Sequence, residues 1–332
     1  MEYGIIFRIA DYIGFIFLRR KNANEGAARV PSERKSIMKK LVFTGVATAL
    51  ITPLNESGID YEKMGKLIDW QIDEGVDAIV VCGTTGESAT LNDTEHKEAI
   101  RYAVDRVNGR IPVIAGTGSN DTAYGVSLAK AACELGADAL LAVTPYYNKA
   151  TQKGLVASYN KMADASTKPL ILYNVPSRTG VNIAPKTYLE LSKHENIVGF
   201  KEANGDISKI VETMSLVGDN LTMYSGNDDQ IVPLMAIGCK GVISVVSNVL
   251  PKRTGEIFKR FFAGDIEGAA KIQFELHDII DALFCEVNPI PVKAAMSALG
   301  FCDNYLRLPL TEMDEDKKQM MFEIMRKHGL KF

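Results

Sequence analysis

From Leu41 onward, short apolar runs alternate with longer stretches in which apolar residues recur at helical spacing. The apolar runs lie near 43–50, 77–82, 111–115, 138–143, 169–174, 197–201, 222–225 and 241–246. Most are continuously apolar rather than alternating, as parallel strands buried on both faces are. Among the intervening stretches, Asp60 reads as the N-cap of a helix through Glu74, with Ile68 and Ile72 on one face, Leu67 beside them and Gly75 as the stop. One phrase recurs: Glu74-Gly75-Val76-Asp77-Ala78, Leu135-Gly136-Ala137-Asp138-Ala139 and Ile237-Gly238-Cys239-Lys240-Gly241. Each is a helix end, a glycine stop, a turn and a new strand. Eight such units predict a (β/α)8 barrel of the α/β class. An open doubly wound sheet would also alternate, but no GxGxxG follows the first strand.

After about residue 250 the strands stop. Helical patterns follow at 250–262, 266–284, 291–299 and 312–327, the first of them supplying the eighth barrel helix. The expected organisation is a barrel over 38–263 and a C-terminal helical region over 264–332, which covers a face or builds an oligomer contact. Residues 1–37 are expected to be an extension outside the fold. Their apolar run over 5–18 is broken by Arg8 and Asp11, too short and polar to span a bilayer, and without the flanks of a signal peptide.

Composition narrows the function. In 332 residues, 46% are hydrophobic and 24% charged, as in a soluble protein with a full core. A net charge of −3 offers no footprint for nucleic acid or an anionic membrane, so a small substrate is expected. Five scattered cysteines without a CxxC pair read as reduced thiols in a cytoplasm, and four histidines without ligand spacing argue against zinc.

In a barrel of this kind the chemistry sits at the C-terminal ends of the strands. The sixth run, Ile197-Val198-Gly199-Phe200-Lys201, ends in an amine. Held against an apolar pocket, such a lysine loses its proton and attacks a carbonyl carbon; taken singly, it reads first as a solvated strand-end charge, and the other strand ends change that reading. Gly83-Thr84-Thr85-Gly86-Glu87-Ser88 follows the second strand and reads as an anion nest for a carboxylate, or as a tight polar turn. Tyr146 and Tyr147 follow the fourth strand. Tyr173 ends the fifth, aimed at the same space as Lys201, and Arg178 follows it as a guanidinium fork suited to a carboxylate or as a plain loop arginine. Together they suit carbon–carbon bond making or breaking through an imine with a 2-oxo acid.

The motifs Gly83–Ser88, Tyr146-Tyr147-Asn148, Tyr173-Asn174-Val175-Pro176-Ser177-Arg178-Thr179-Gly180, Gly199-Phe200-Lys201-Glu202-Ala203 and Ser225-Gly226-Asn227-Asp228, in this order, resemble the dihydrodipicolinate synthase family of pyruvate-dependent, N-acetylneuraminate-lyase-like aldolases. The resemblance runs from about Phe43 to the C-terminus. It implies a Schiff base between Lys201 and pyruvate, with Thr84 and Thr85 on the pyruvate carboxylate and Gly226 and Ile243 lining its pocket. It implies a hydroxyl relay of Thr84, Tyr173 and Tyr147, the last lent by a neighbouring copy in a tight dimer assembled into a tetramer. Arg178 would take the carboxylate of aspartate 4-semialdehyde, and no metal or organic cofactor would take part. A sialic-acid lyase or a 2-keto-3-deoxy sugar-acid aldolase is the alternative, set aside on Arg178 and the Tyr146-Tyr147 pair. The positions that match the family's lysine-inhibition cleft are Ser88, Ala89, Asp93, His96, Asn120, Tyr124 and Tyr146. Asp93 stands where histidine or another aromatic is usual, and Tyr124 where glutamate is usual. With Asp93 expected across a loop from Tyr124, weak or absent inhibition by lysine follows.

Overall fold

A computed structural model describes residues 39–332 of the chain. The extension expected over 1–37 lies outside the described residues. Eight parallel strands close into a barrel: β1 (Gly45–Ala49), β4 (Ala78–Val81), β5 (Val113–Gly116), β6 (Ala139–Val143), β7 (Leu170–Asn174), β8 (Ile197–Glu202), β9 (Thr222–Ser225) and β10 (Gly241–Ser244). Each strand pairs with the next in the chain, and β10 pairs back onto β1 to complete the ring. The (β/α)8 barrel expected from the apolar runs is the fold, and each strand falls within a residue or two of its run. An antiparallel hairpin of β2 (Leu54–Asn55) and β3 (Gly58–Ile59) was not anticipated. Two residues a side carry too little alternation to be read.

Helices α1 (Tyr61–Asp73), α2 (Asp93–Val107), α3 (Thr122–Glu134), α4 (Gln152–Asp164), α5 (Pro176–Thr179), α6 (Pro185–Leu191), α7 (Ile207–Val217), α8 (Ile231–Met235) and α9 (Pro251–Phe262) follow in the loops and around the barrel. Their starts are built locally. Asp60, Asp121, Thr151 and Asp206 each accept from a free N–H of the first turn, and Asn92 with Glu95 forms a capping box. Beyond the barrel lie α10 (Ile266–Glu275), α11 (His277–Leu283), α12 (Ile290–Ala298) and α13 (Glu315–Lys327). The helix expected over 266–284 is two, jointed at Leu276; apolar residues continue across the joint, so periodicity does not reveal it. Among the described residues no helix is long and apolar enough to cross a membrane.

Two apolar layers surround the strands. Ala47, Ala78, Ile114, Leu141, Ile171, Tyr224 and Ile243 fill the inside, while Leu140, Leu170, Leu172, Phe200, Met223 and Val242 pack outward on the helices. Strand residues alternate between the layers, with one break. In β8, Ile197 pairs with Leu170, yet the next partner of β7, Ile171, pairs with Gly199. Val198 is the extra residue of a bulge. Ile197 faces outward and would carry Gly199 and Lys201 outward with it in a regular strand. The bulge shifts the phase by one, so Lys201 pairs with Tyr173 and Tyr224 on the inner face and Glu202 pairs with Asn174 on the outer one.

Gly199 permits the shift. A Cβ there would lie 2.5 Å from the Thr222 carbonyl oxygen of β9. Gly199→Ala is therefore expected to cost roughly 1–3 kcal/mol, read as a lower urea midpoint, and a midpoint equal to that of the parent chain would show that β8 and β9 separate freely.

Candidate active site

A cavity of about 200 Å³ opens at the C-terminal end of the barrel. It is lined by Thr84, Thr85, Tyr173, Arg178, Lys201, Gly226 and Ile243, all of them residues singled out from the sequence. Phe284 and Asn288 of the C-terminal helical region also line it. Lys201 is 6% exposed, and its Nζ lies 4.4 Å from the centre of the Tyr173 ring. Burial lowers its amine from 10.5 to about 8; buried Asp228 opposes the shift and the Arg178 charge adds to it. A lysine in this state holds a useful neutral fraction near neutral pH and can act as a nucleophile. Gly226 makes room for it, since a Cβ would sit 3.0 Å from Lys201 Cε and 2.8 Å from Ala203 Cβ.

Tyr173 is buried, which raises its phenol, while the nearby Arg178 charge and a hydrogen bond with Thr84 oppose the shift. That bond joins the fifth-strand tyrosine to the loop after β4. The loop closes on itself: the Glu87 N–H donates to the Thr84 carbonyl at 3.1 Å and the Ser88 N–H to the Gly83 carbonyl at 3.4 Å. Gly86 is enclosed, because a Cβ would lie 3.1–3.2 Å from the Leu50 carbonyl, the Cys82 nitrogen and the Thr52 hydroxyl. Asn288, which sequence reasoning missed, donates from Nδ2 to Thr85 Oγ1 at 3.1 Å.

Tyr147 stands apart. It is 90% exposed, has a φ of 73° and does not line the cavity of its own chain.

A second cavity, of about 620 Å³, adjoins the first, with Thr84, Val175, Arg178 and Asn288 lining both. Ser88, Ala89, His96, Asn120, Tyr124 and Tyr146 line it as a group. Asp93 is placed otherwise than expected. It does not sit across a loop from Tyr124: α2 and α3 pack side by side, and the Tyr124 hydroxyl hydrogen-bonds with the Asp93 carboxylate. Lys97, one helical turn on, also pairs with Asp93 at 2.7 Å.

On the outer face, beneath the loop that carries Arg178, Glu202 is almost fully buried. It accepts from Asn174 Nδ2 at 2.8 Å, the Tyr188 hydroxyl at 2.8 Å and the Asn204 N–H at 3.0 Å. Asn174 in turn bonds to Asn182 and to the Ile183 N–H, so one carboxyl gathers both ends of that loop.

The fold and this cavity define a (β/α)8-barrel protein with a buried strand-end lysine that can act as a nucleophile. The chain belongs to the Dihydrodipicolinate synthetase family, whose model matches residues 42–328. The 4-hydroxy-tetrahydrodipicolinate synthase of Acetivibrio thermocellus is 52% identical over 293 residues, covering 88% of this chain and 100% of the relative. A crystal structure of dihydrodipicolinate synthase from Aquifex aeolicus aligns with a TM-score of 0.85 at 46% identity, over 87% of this chain and 99% of that one. The enzyme from Cyanidioschyzon merolae, crystallised with lysine bound, aligns with a TM-score of 0.85 at 38% identity, over 88% and 100%. The family anticipated from the sequence motifs is the family of this chain.

Glu202 generates a test of its own. Burial raises its carboxyl from 4.5 to about 7, against the opposing donors Tyr188 and Asn174. Between those values the folded chain binds more protons than the unfolded one. The stability carried by the neutral carboxyl is therefore complete below pH 4.5 and lost as pH rises through 7, an effect of up to about 3 kcal/mol. Glu202→Gln is expected to flatten the fall in urea midpoint between about pH 5 and 8; a slope unchanged by the substitution would show that this carboxyl does not drive it.

Proposed function

We propose that this chain is a 4-hydroxy-tetrahydrodipicolinate synthase, condensing pyruvate with L-aspartate 4-semialdehyde in the diaminopimelate route to lysine. The observation that carries the reading is the buried, deprotonation-prone Lys201 in one cavity with Thr84, Thr85, Tyr173 and Arg178. The neutral amine of Lys201 attacks C2 of pyruvate, and loss of water leaves an iminium. The nitrogen cation is the electron sink, so a proton leaves the methyl carbon and an enamine forms. The enamine carbon attacks the aldehyde carbon of the second substrate. The amino group of that substrate then displaces Lys201 at C2, closing the ring and freeing the lysine.

Thr84 and Thr85 hold the pyruvate carboxylate, with Gly226 and Ile243 shaping its pocket. Tyr173, hydrogen-bonded to Thr84, moves protons at the forming carbinolamine. Arg178, at the rim, takes the carboxylate of the semialdehyde. Tyr147 points away from its own cavity, and a neighbouring copy receives it, so the active unit is at least a dimer and assembles into a tetramer. The site of action is the cytoplasm, and the lysine itself does the work of a cofactor. An aldolase acting on sialic acid or a deoxy sugar acid shares the lysine and Tyr173, but Arg178 and the 52% identity to a synthase over its whole length favour the condensation.

Borohydride added with pyruvate is expected to fix one pyruvate on a peptide containing Lys201. Reduction onto another lysine, or onto none, would overturn the mechanism. Inhibition by lysine is expected to be weak or absent. The second cavity offers Tyr124 in place of an acidic acceptor, and the Asp93 charge is already matched by Lys97. Half-inhibition of the initial rate below about 1 mM lysine, a binding free energy near 4 kcal/mol, would contradict this.

A further inference from the structure

The loop that carries Thr84 and Thr85 has an unusual anchor. Glu87, its fifth residue, is not a glycine, yet its backbone lies at φ 55°, ψ 32° in the left-handed region. Its side chain is 1% exposed and pairs through Oε1 with the ammonium of Lys293, which is 0% exposed and lies 206 positions further along the chain, on α12. Glu87 Oε2 is buried and has no hydrogen-bond partner among the described residues. The same region reaches the loop twice more. Asn288 donates to Thr85 Oγ1 at 3.1 Å, and Arg307 donates to the Thr90 carbonyl at 2.8 Å and to Glu95 at 2.7 Å.

Stability does not account for the pair. Two charges taken out of water and facing each other are often matched or bettered by apolar residues of the same volume. What an ion pair adds over an apolar contact is a fixed direction and distance. Here it fixes the residue whose N–H closes the turn onto the Thr84 carbonyl, so a rotation at Glu87 carries Thr84 and Thr85 with it.

We propose that Lys293 is a positioning residue: through Glu87 it holds the Gly83–Ser88 loop so that Thr84 and Thr85 meet the substrate carboxylate. This rests on the reading of that loop given under Proposed function. Lys293 touches no reacting atom; it acts through the loop, and the C-terminal helical region thereby becomes part of the machinery that binds the 2-oxo acid.

The test compares the full-length parent chain with Glu87→Gln and with the double variant Glu87→Gln/Lys293→Met. The first keeps an acceptor for Lys293 and removes only the charge. The second removes the contact without leaving a charge buried alone. Measured are the KM for pyruvate, the KM for the semialdehyde, kcat, and the pyruvate concentration giving half-maximal borohydride trapping on Lys201. In the double variant the pyruvate KM and the trapping midpoint are expected to rise about tenfold or more, with kcat and the other KM changed far less. In Glu87→Gln, which retains the hydrogen bond, both are expected to stay within about threefold of the parent. If the double variant does not fold, the same comparison is made on Glu87→Asp/Lys293→Arg, which keeps both charges and moves the contact, with the same rise expected. A folded variant with the parent's pyruvate KM and trapping midpoint, or one in which kcat falls and both KM values rise together, overturns the positioning role alone. A parent chain that cannot be trapped with pyruvate overturns the functional reading and the positioning role with it.

Discussion

The site depends on a shift of one residue in one strand. Side chains of a strand alternate between two faces, and in a barrel one faces the packed interior, at whose C-terminal end the cavity opens, and the other the helix layer. Counting from Ile197, which packs on the helices, an unbroken β8 would send Lys201 into the helix layer and Glu202 into the lumen. The bulge at Val198 exchanges them. The amine then stands beside Tyr173, over the pocket bounded by Gly226. The acid falls among Tyr188, Asn174 and Asn204, where it can be buried with every oxygen engaged. Both outcomes are needed at once. A carboxylate on the inner face beside Lys201 would favour its protonated form.

Several ionisable groups are buried around this mouth, and they answer to different demands. Among the described residues Lys201 has no direct carboxylate partner, and burial pushes its amine toward neutrality. Asp228 is the nearest counter-charge, but one of its oxygens is committed to the Val245 and Val246 N–H groups at 2.8 and 2.9 Å. It therefore acts on Lys201 through space, opposing the loss of the proton without preventing it. Lys293 is the reverse case. It is as deeply buried, but it is paired with Glu87. The two buried lysines thus differ, among the described residues, by the presence or absence of a bonded acid.

Much of this was legible in the sequence, and the parts that were not share a reason. Continuous apolar runs revealed eight parallel strands, because strands buried on both faces have no polar side to interrupt them. That same continuity hid the bulge: with apolar residues on both faces, the phase of β8 leaves no trace in the pattern. The motif around Gly83–Ser88 and the strand-end positions of Tyr173 and Lys201 placed the lumen residues, since the ends of strands are fixed by where the apolar run stops. Contacts between segments far apart in the chain were invisible. Asn288 and Lys293 reach the loop after β4 across some two hundred positions, and nothing near them announces a partner. The relation of Asp93 to Tyr124 was misjudged for the same reason, as it depends on how α2 lies against α3. Tyr147 was picked out by its motif, while its exposure became visible only in the fold.

The C-terminal helices are the element whose meaning changes most. As a sequence they read as an appendage after a complete barrel. In the fold, Phe284 and Asn288 wall the lysine cavity, Lys293 fixes the loop opposite, and Arg307 ties the far end of that loop through Thr90 and Glu95. A bare barrel would leave the strand ends open to water on this side, and the polarity that burial removes from around Lys201 would return. The shift in its amine would then shrink, because desolvation is its largest cause. The barrel supplies the directions of the side chains around Lys201; the added helices supply one wall of the pocket that keeps its amine from water.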